Sequence, residues 1–352
     1  MKPGNVIADS GNYELHQRVS SSTLALSPLP NISGRGIQMA PVQTAEQKLD
    51  LVNGDIPEHR LAQAESFHQA YRSQSGERME ALQSLYQELG EPQNLVITLF
   101  CRKYFPLFKN WLISCDRNEL NPRDNTIAFC LDNESAQRAT ALGIKNCFLD
   151  PEIYAPAGGA GRFADESFRA TMLYKNAIIS DALELGASIL FQDADLIWLK
   201  DPFSHLNSHG QYYDVQIMYD GPNRRYRPIY CNSGFIYVRP NDTTKALFET
   251  ALRNSACILK SGGHQFALVR ILDYFLDHQL LRLHVLPEHL FMNGHLFNRN
   301  GGIRPSAKNW REHGIVFHYS WSLNIQEKFE KIGPIRYVLS GLQGYPPCEF
   351  IQ

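Results

Sequence analysis

Residues 169–203 read RATMLYKNAIISDALELGASILFQDADLIWLKDPF, and this stretch decides the fold. Its first half continues a helical pattern that runs from about Glu166 to Leu185 and is stopped by Gly186. The run SILFQ that follows is short and almost wholly apolar, as expected of a strand buried on both faces, and it ends on Asp193. The same alternation lies upstream. LVITLF is a strand, Tyr104 to Cys115 repeat with helical spacing, TIAFCLD is a second strand ending on Asp132, ESAQRATALG is a helix, and KNCFLD is a third strand. Apolar strands alternating with helices predict an α/β domain with a largely parallel sheet covered on both faces. Ligands of such sheets bind beyond the carboxyl ends of the strands, where Asp132 and Asp193 both fall.

Further out the pattern loosens. DVQIMY and GFIYVR read as strands around the turn-rich GPNRRYRPIYCNS, residues 242–259 and 264–278 as helices, and LRLHVL and GIVFHY as further strands. Leu61 to Gly90 is helical, with Met79, Leu82, Leu85, Tyr86 and Leu89 on one face. Residues 1–60 are rich in Ser, Pro, Gly, Asn and Gln without a sustained period, and read as a flexible leader. The expected organisation is a leader over 1–60, a helical segment over 61–93 and a single catalytic domain over 94–352.

The 352 residues carry a formal net charge of -2, which argues against a nucleic-acid partner. No apolar run reaches the roughly 20 residues that span a bilayer, and the first residues lack a signal-peptide pattern. Seven cysteines, scattered through apolar stretches, suit a reducing compartment, so a cytoplasmic location is expected.

Asp193-Ala194-Asp195 is the central chemical feature. An Asp-x-Asp triplet occurs by chance about once in a chain of this length, so its setting carries the argument. It follows a buried strand and closes with Lys200-Asp201-Pro202-Phe203. Two carboxylates on bends at a strand end suit Mg²⁺ or Mn²⁺, which take carboxylates together with substrate phosphate oxygens. Asn232, Ser233 and Gly234, just before the strand FIYVR, suit contact with sugar hydroxyls or form a plain turn. His318, near the end of an apolar strand, is a third metal ligand or a core histidine. Lys328 is a diphosphate contact or a solvated helix lysine.

Taken in order, VITLFCRKYFPLFKNWLISC, the carboxylate of CLDNES, residues 169–203, CNSGFIYVRP, FMNGHLFN and VFHYSW resemble the nucleotide-diphospho-sugar transferases of glycosyltransferase family 77. The resemblance covers roughly residues 94–335. It implies a GT-A-type, Rossmann-like mixed sheet flanked by helices, a divalent metal (Mn²⁺ or Mg²⁺), a UDP-sugar donor, a hydroxyl-bearing acceptor and retention of anomeric configuration. Residue by residue, it implies that Thr98 and Asp132 line the nucleoside pocket and that Lys175 approaches the donor. It assigns Asp193 to the ribose or a metal-bound water, within a metal set of Asp193, Asp195 and His318. Asn232, Ser233 and Gly234 would face the donor sugar, and Lys328 the diphosphate. These enzymes commonly carry an Asp-Gln pair opening the helix after the Asn-Ser-Gly strand. Here the matching text is His264-Gln265, so Gln265 is kept and the carboxylate is not. Catalysis is then expected to use the amide oxygen of Gln265 or Asn232, with Asp195 on the metal.

Two other readings of Asp-x-Asp fit poorly. A dehalogenase-type phosphatase has it near the domain start, followed by Thr or Val rather than Leu196, and a nucleotidyltransferase needs an early Gly-rich loop that CRKYFP is not. A catalytically inactive nucleotide-sugar-binding scaffold is the rival from another class.

Overall fold

The computed structural model describes residues 56–149, 164–221, 229–295, 313–322 and 324–328. All of them belong to one compact unit, Ala45–Gln352; the other unit, Met1–Thr44, lies outside the described residues, as does the expected leader up to residue 55.

The helical pattern before the sheet forms two helices, α1 (Glu58–Ser73) and α2 (Ser75–Glu88), which break at Gln74. Leu82 and Tyr86 of α2 are buried, with Met79, Leu85 and Leu89 packed beside them, so the predicted face is the one that meets the core. Gly90, at φ 79°, ends the segment in the left-handed conformation that glycine adopts without strain. Next come β1 (Asn94–Phe100), α3 (Phe105–Arg117), β2 (Thr126–Cys130), α4 (Asn133–Ala141) and β3 (Asn146–Leu149). They are followed by α5 (Glu166–Leu183), β4 (Ser188–Asp193), β5 (Leu196–Trp198) and α6 (Pro202–Gly210). Then β6 (Val215–Tyr219) leads to β7 (Cys231–Val238) and three helices, α7 (Asp242–Arg253), α8 (Ser255–Ser261) and α9 (His264–Asp277). Short strands β8 (Leu283–Leu286), β9 (Phe291–Asn293) and β10 (Val316–His318) complete the described elements.

Seven strands form one sheet in the order β3-β2-β1-β4-β7-β6-β8. β3, β2, β1 and β4 are parallel, β7 runs antiparallel to both β4 and β6, and β8 is parallel to β6. The sheet is therefore mixed, flanked by helices, with a parallel half and one reversed strand. Alternation along β1 shows why its sequence is largely apolar on both faces. Leu95, Ile97 and Leu99 enter the core shared with α5, α7 and α9, whereas Val96 and Phe100 enter the core shared with α3 and α4.

Two sequence readings shift. The second strand stops at Cys130, and Asp132 instead caps α4, its Oδ1 accepting from Ser135 N at 2.7 Å. Cys231, Asn232 and Ser233 lie inside β7 rather than in a turn before it. Their polarity is accommodated by a bulge: Ile217 pairs with Ile236 but Met218 with Asn232, so Ser233, Gly234 and Phe235 are extra residues on β7 against β6.

A buried ion pair ties the first helices to the sheet layer. Arg78 Nε donates to Asp181 Oδ2 of α5 at 2.7 Å, and Tyr71 Oη to Oδ1 at 2.5 Å. The Arg78 and Asp181 side chains are 3% and 8% exposed, so removing either partner strands a buried charge. Arg78→Met is expected to lower the unfolding free energy by about 3 kcal/mol; denaturant unfolding measures it, and a loss below about 1 kcal/mol would show that the pair is replaceable.

Candidate active site

The parallel half of the sheet has its switch point between β1, which continues to β2 on one side, and β4 on the other. Asp193 is the last residue of β4, paired with Leu99 of β1, so its carboxylate stands at the rim of that crevice. The chain then turns through Ala194 and Asp195 into β5, the edge of a second, three-stranded sheet ordered β5-β10-β9. In its antiparallel pairing with β5, β10 sets His318 opposite Leu196, and Tyr319 N donates to the Asp195 carbonyl at 3.0 Å. Backbone pairing thus delivers the imidazole to the carboxylates.

His318 Nε2 lies 3.2 Å from Asp195 Oδ1 and 3.7 Å from Asp193 Oδ2. One ligand atom from each of the three residues lies within 4.8 Å of the others. Two carboxylates and an imidazole converging from separate strands fit a divalent cation such as Mn²⁺ by donor chemistry. Gly234 supplies the room. A Cβ there would run into His318 Cε1 and come within 2.5 Å of Asp193 Oδ2. The bulge in β7 therefore places its one residue without a side chain against the cluster.

Two lysines balance the carboxylates. Lys175 of α5 donates to Asp193 Oδ1 at 2.6 Å, with its ammonium 4.4 Å from the Phe191 ring centroid. It is 1% exposed, and burial pulls its pKa down, with Asp193 opposing the shift. Lys328 donates to Asp195 Oδ2. Burial pushes the Asp195 carboxyl up, but the Lys328 ammonium and His318 imidazole beside it hold it well below the usual carboxylate range.

A second cluster adjoins the first through the bulge. Asn232 Oδ1 accepts from Gly234 N at 2.8 Å, and Gln265 Oε1 accepts from Ser233 N at 3.2 Å and Oγ at 3.3 Å. The amide groups of both point at Asp220, with Asn232 Nδ2 at 2.6 Å from Oδ1 and Gln265 Nε2 at 2.8 Å from Oδ2. Trp321 Nε1 and Asn293 Nδ2 also donate to Asp220 Oδ1, at 3.1 and 3.3 Å. Burial raises the Asp220 pKa, and the hydrogen bonds from Asn232, Gln265 and Trp321 oppose the rise. An acceptor-only carboxylate fixes which way both amides face. Their oxygens are turned into the bulge.

Asp220 is the residue that sequence reasoning missed. Its signal is present: Asp220 directly follows β6, as Asp193 ends β4, and Gly221 after it has φ 90°. His264, standing where a carboxylate was expected, opens α9 and is 3% exposed. Burial, and then Lys175, press it to the neutral form, and its Nδ1 is 2.9 Å from Met172 Sδ. Thr98 is fully buried in β1 next to Gln192 of β4, and its Oγ1 has no hydrogen-bond partner among the described residues. Asp132 sits apart from the clusters; its Oδ2 accepts from Arg102 N at 2.6 Å, locking the turn after β1 to the start of α4.

The topology and the rim cluster define a GT-A-type sugar-transferase fold. The chain belongs to the nucleotide-diphospho-sugar transferase family, whose model matches residues 121–331. It is similar to UDP-D-xylose:L-fucose alpha-1,3-D-xylosyltransferase 3 of Arabidopsis thaliana, 21% identical over 258 residues, covering 68% of this chain and 64% of that protein. It is also similar to UDP-galactose:fucoside alpha-3-galactosyltransferase of Dictyostelium discoideum, 26% identical over 214 residues, covering 54% of this chain and 30% of that protein. The chain spans less than two-thirds of the length of either relative. A solved glycosyltransferase, GlyE of Streptococcus pneumoniae, aligns over 71% of this chain and 60% of its own at 10% identity with a TM-score of 0.45. Among the described residues no helix is long and apolar enough to cross a membrane.

Proposed function

We propose that this chain transfers a sugar from a UDP-sugar to a hydroxyl of an acceptor, with retention of configuration, using Mn²⁺ (or Mg²⁺) held by Asp193, Asp195 and His318. The convergence of those three side chains at the switch point carries the reading. The working unit is residues 94–352, and the free thiols of Cys101, Cys115, Cys130, Cys147, Cys231 and Cys257 support a reducing, cytoplasmic setting. UDP-sugar donors are named in both relatives described above.

A divalent cation at this donor set supplies neutralisation of the charge on a departing diphosphate. Lys328, already against Asp195, adds a positive charge at the same rim, and Lys175 holds Asp193 in place. Thr98 and Asp132 border the nucleoside side, at β1 and the start of α4. Asn232, Ser233, Gly234 and Gln265 form the wall for the donor sugar. The acceptor oxygen bonds to the anomeric carbon on the face from which the bond to UDP breaks, and its proton passes to the leaving phosphate oxygen. Position 264 contributes no charge to this step, because His264 is held neutral.

The test is a screen of UDP-sugars for Mn²⁺-dependent hydrolysis by the purified protein with no acceptor added. Turnover lost on chelation and restored by Mn²⁺ is the expected result. Binding of UDP and Mn²⁺ without turnover of any donor would instead favour a nucleotide-sugar-binding scaffold, the reading that the missing carboxylate at position 264 keeps in play. Within the active reading, Asp220→Asn keeps volume but sets an amide against the amides of Asn232 and Gln265. It is expected to lower donor turnover by about tenfold to a hundredfold, the range for losing a hydrogen bond to a charged group; steady-state kinetics check it.

A further inference from the structure

Three histidines gather at the far end of the sheet from the rim. His205 and His209 stand one turn apart on α6 and so share a face of that helix, while His284 lies on β8, an edge strand of the seven-stranded sheet. The ring centroids are 5.0 Å apart for His205 and His209, 5.4 Å for His209 and His284, and 6.4 Å for His205 and His284. His284 pairs with Gln216 near the start of β6, and Asp220 comes four positions later, about 13 Å along the strand direction. The cluster is therefore separate from the carboxylates at the rim. Hydrogen bonds fix which nitrogen of two of these rings carries the proton. Buried Gln216 donates from Nε2 to the Leu206 carbonyl at 2.7 Å, so its Oε1 is turned to His284 Nδ1, 3.2 Å away. An amide oxygen only accepts, so the hydrogen sits on Nδ1 and the neutral ring keeps its lone pair on Nε2. On α6, Ser208 Oγ donates to the His205 carbonyl at 2.7 Å. His209 Nδ1 then faces two acceptors, that hydroxyl oxygen at 2.8 Å and the same carbonyl at 3.2 Å, so it too is protonated on Nδ1. His205 Nε2 is buried without a hydrogen-bond partner among the described residues. Burial, and then the imidazoles around them, keep His205 and His284 below the ordinary histidine range, with His284 pushed down to about 4.

We propose that His205, His209 and His284 form a second metal site, for a borderline dication such as Zn²⁺, which clips α6 to the edge strand β8. The site is independent of the glycosyl-transfer reading above. Neutral imidazole nitrogens bind Zn²⁺ well, whereas Mg²⁺ and Ca²⁺ seek oxygen. A Nδ1–H held by an oxygen acceptor is the usual support of a ligating histidine, because it fixes the ring and makes the opposite nitrogen more basic. Gln216 gives that support to His284, and Ser208 with the His205 carbonyl gives it to His209. Zn–N bonds of about 2.0–2.1 Å put the centroids of two imidazoles on one tetrahedral ion about 5 Å apart. Two of the three separations already match, and the third has to close by about 1 Å. Among the described residues only Asp193, Asp195 and His318 already have ligand atoms within 4.8 Å of one another, so the three imidazoles close on an ion by turning about their side-chain bonds. Three protein nitrogens leave the fourth tetrahedral position to water. The His205 ring also packs on Phe291 of β9, with centroids 5.2 Å apart, so the clip is anchored on the second sheet as well.

The experiment titrates zinc chloride into metal-free Asp195→Ala protein, in which the rim cluster no longer competes, and into the same protein with His209→Gln or His284→Gln added. Calorimetry reads the zinc bound, and thermal unfolding reads the melting temperature with and without zinc. Asp195→Ala is expected to take up one Zn²⁺ per chain and to melt at a higher temperature with zinc, since an ion bound to the folded chain alone stabilises it. Mg²⁺ is expected to do neither. His209 is only partly buried, so His209→Gln leaves the core in place. Either histidine change should weaken zinc binding by about a hundredfold or more, beyond the range for losing an outer hydrogen-bond partner, and abolish the melting shift. No zinc uptake by Asp195→Ala overturns the proposal, as does uptake that either histidine change leaves unweakened, or an equal response to Mg²⁺. If His284→Gln does not fold, His209→Gln decides alone. If Asp195→Ala does not fold, the wild-type background serves, where His209→Gln should bind one zinc fewer per chain and an unchanged count overturns the site. Failure here leaves the rim reading standing, because that is tested separately by Mn²⁺-dependent turnover of UDP-sugars.

Discussion

Asp195→Ala is expected to leave no measurable Mn²⁺-dependent turnover, a loss of about a thousandfold or more, the scale of removing a preorganised electrostatic contact in a dry site. Asp195 is 4% exposed and meets both His318 and Lys328. On the proposed reading, deleting its carboxylate removes one cation ligand and strands the Lys328 ammonium, so cation affinity and rate are expected to fall together. Asp195→Asn separates the two effects, because it keeps the shape and one acceptor oxygen while removing the charge. Kinetics with Mn²⁺ titration for both variants decide the matter, and near-normal activity in Asp195→Ala would remove this residue from the centre of the site.

Gly234→Ala carries the second large effect. The added methyl would meet the His318 ring and lie 2.5 Å from Asp193 Oδ2, too close for any real Cβ contact. Gly234 has no positive φ, so the cost is one of space rather than backbone strain. Relief requires the imidazole or the β7 bulge to move, which costs about 1–3 kcal/mol of stability and separates the ligand atoms. Mn²⁺ affinity is expected to fall by about a hundredfold or more, given the geometric demands of a three-ligand set. Gly76→Ala is the matched control, since nothing lies within 4 Å of a Cβ there. Unaltered Mn²⁺ binding in a folded Gly234→Ala protein would refute the cluster as a cation site.

The parts of the fold legible in the sequence are those set by local rules. SILFQD and NLVITLF read as strands because they bury both faces, and Gly90 and Gly186 read as stops because their φ of 79° and 83° suits glycine. The parts that were not legible depend on distant partners. Asn232 and Ser233 look like turn residues by composition, yet they extend β7 because Asp220 and Gln265 satisfy their polar groups. Asp132 looked like a strand end and proved to be a helix cap, a difference of two residues decided by hydrogen bonds to Ser135 and Arg102. Asp220 has the strand-end signal, but the four side chains that make it a hub come from β7, α9, β9 and the segment after β10, which no local pattern reveals. The rim cluster was approachable because the Asp-x-Asp triplet marked its first half. Its partner His318 became meaningful only through the pairing of β5 with β10.

That pairing also sets an order of assembly. Asp195 and Lys328 are 133 residues apart in the chain, and the imidazole comes from the same late segment. During synthesis, the strands that carry the two carboxylates leave the ribosome long before β10 does. A nascent chain can lay down β1 to β4 while holding two acidic side chains with no imidazole and only Lys175 to balance them. On the proposed reading, cation capture is reserved for the finished polypeptide, with β10 as its latch.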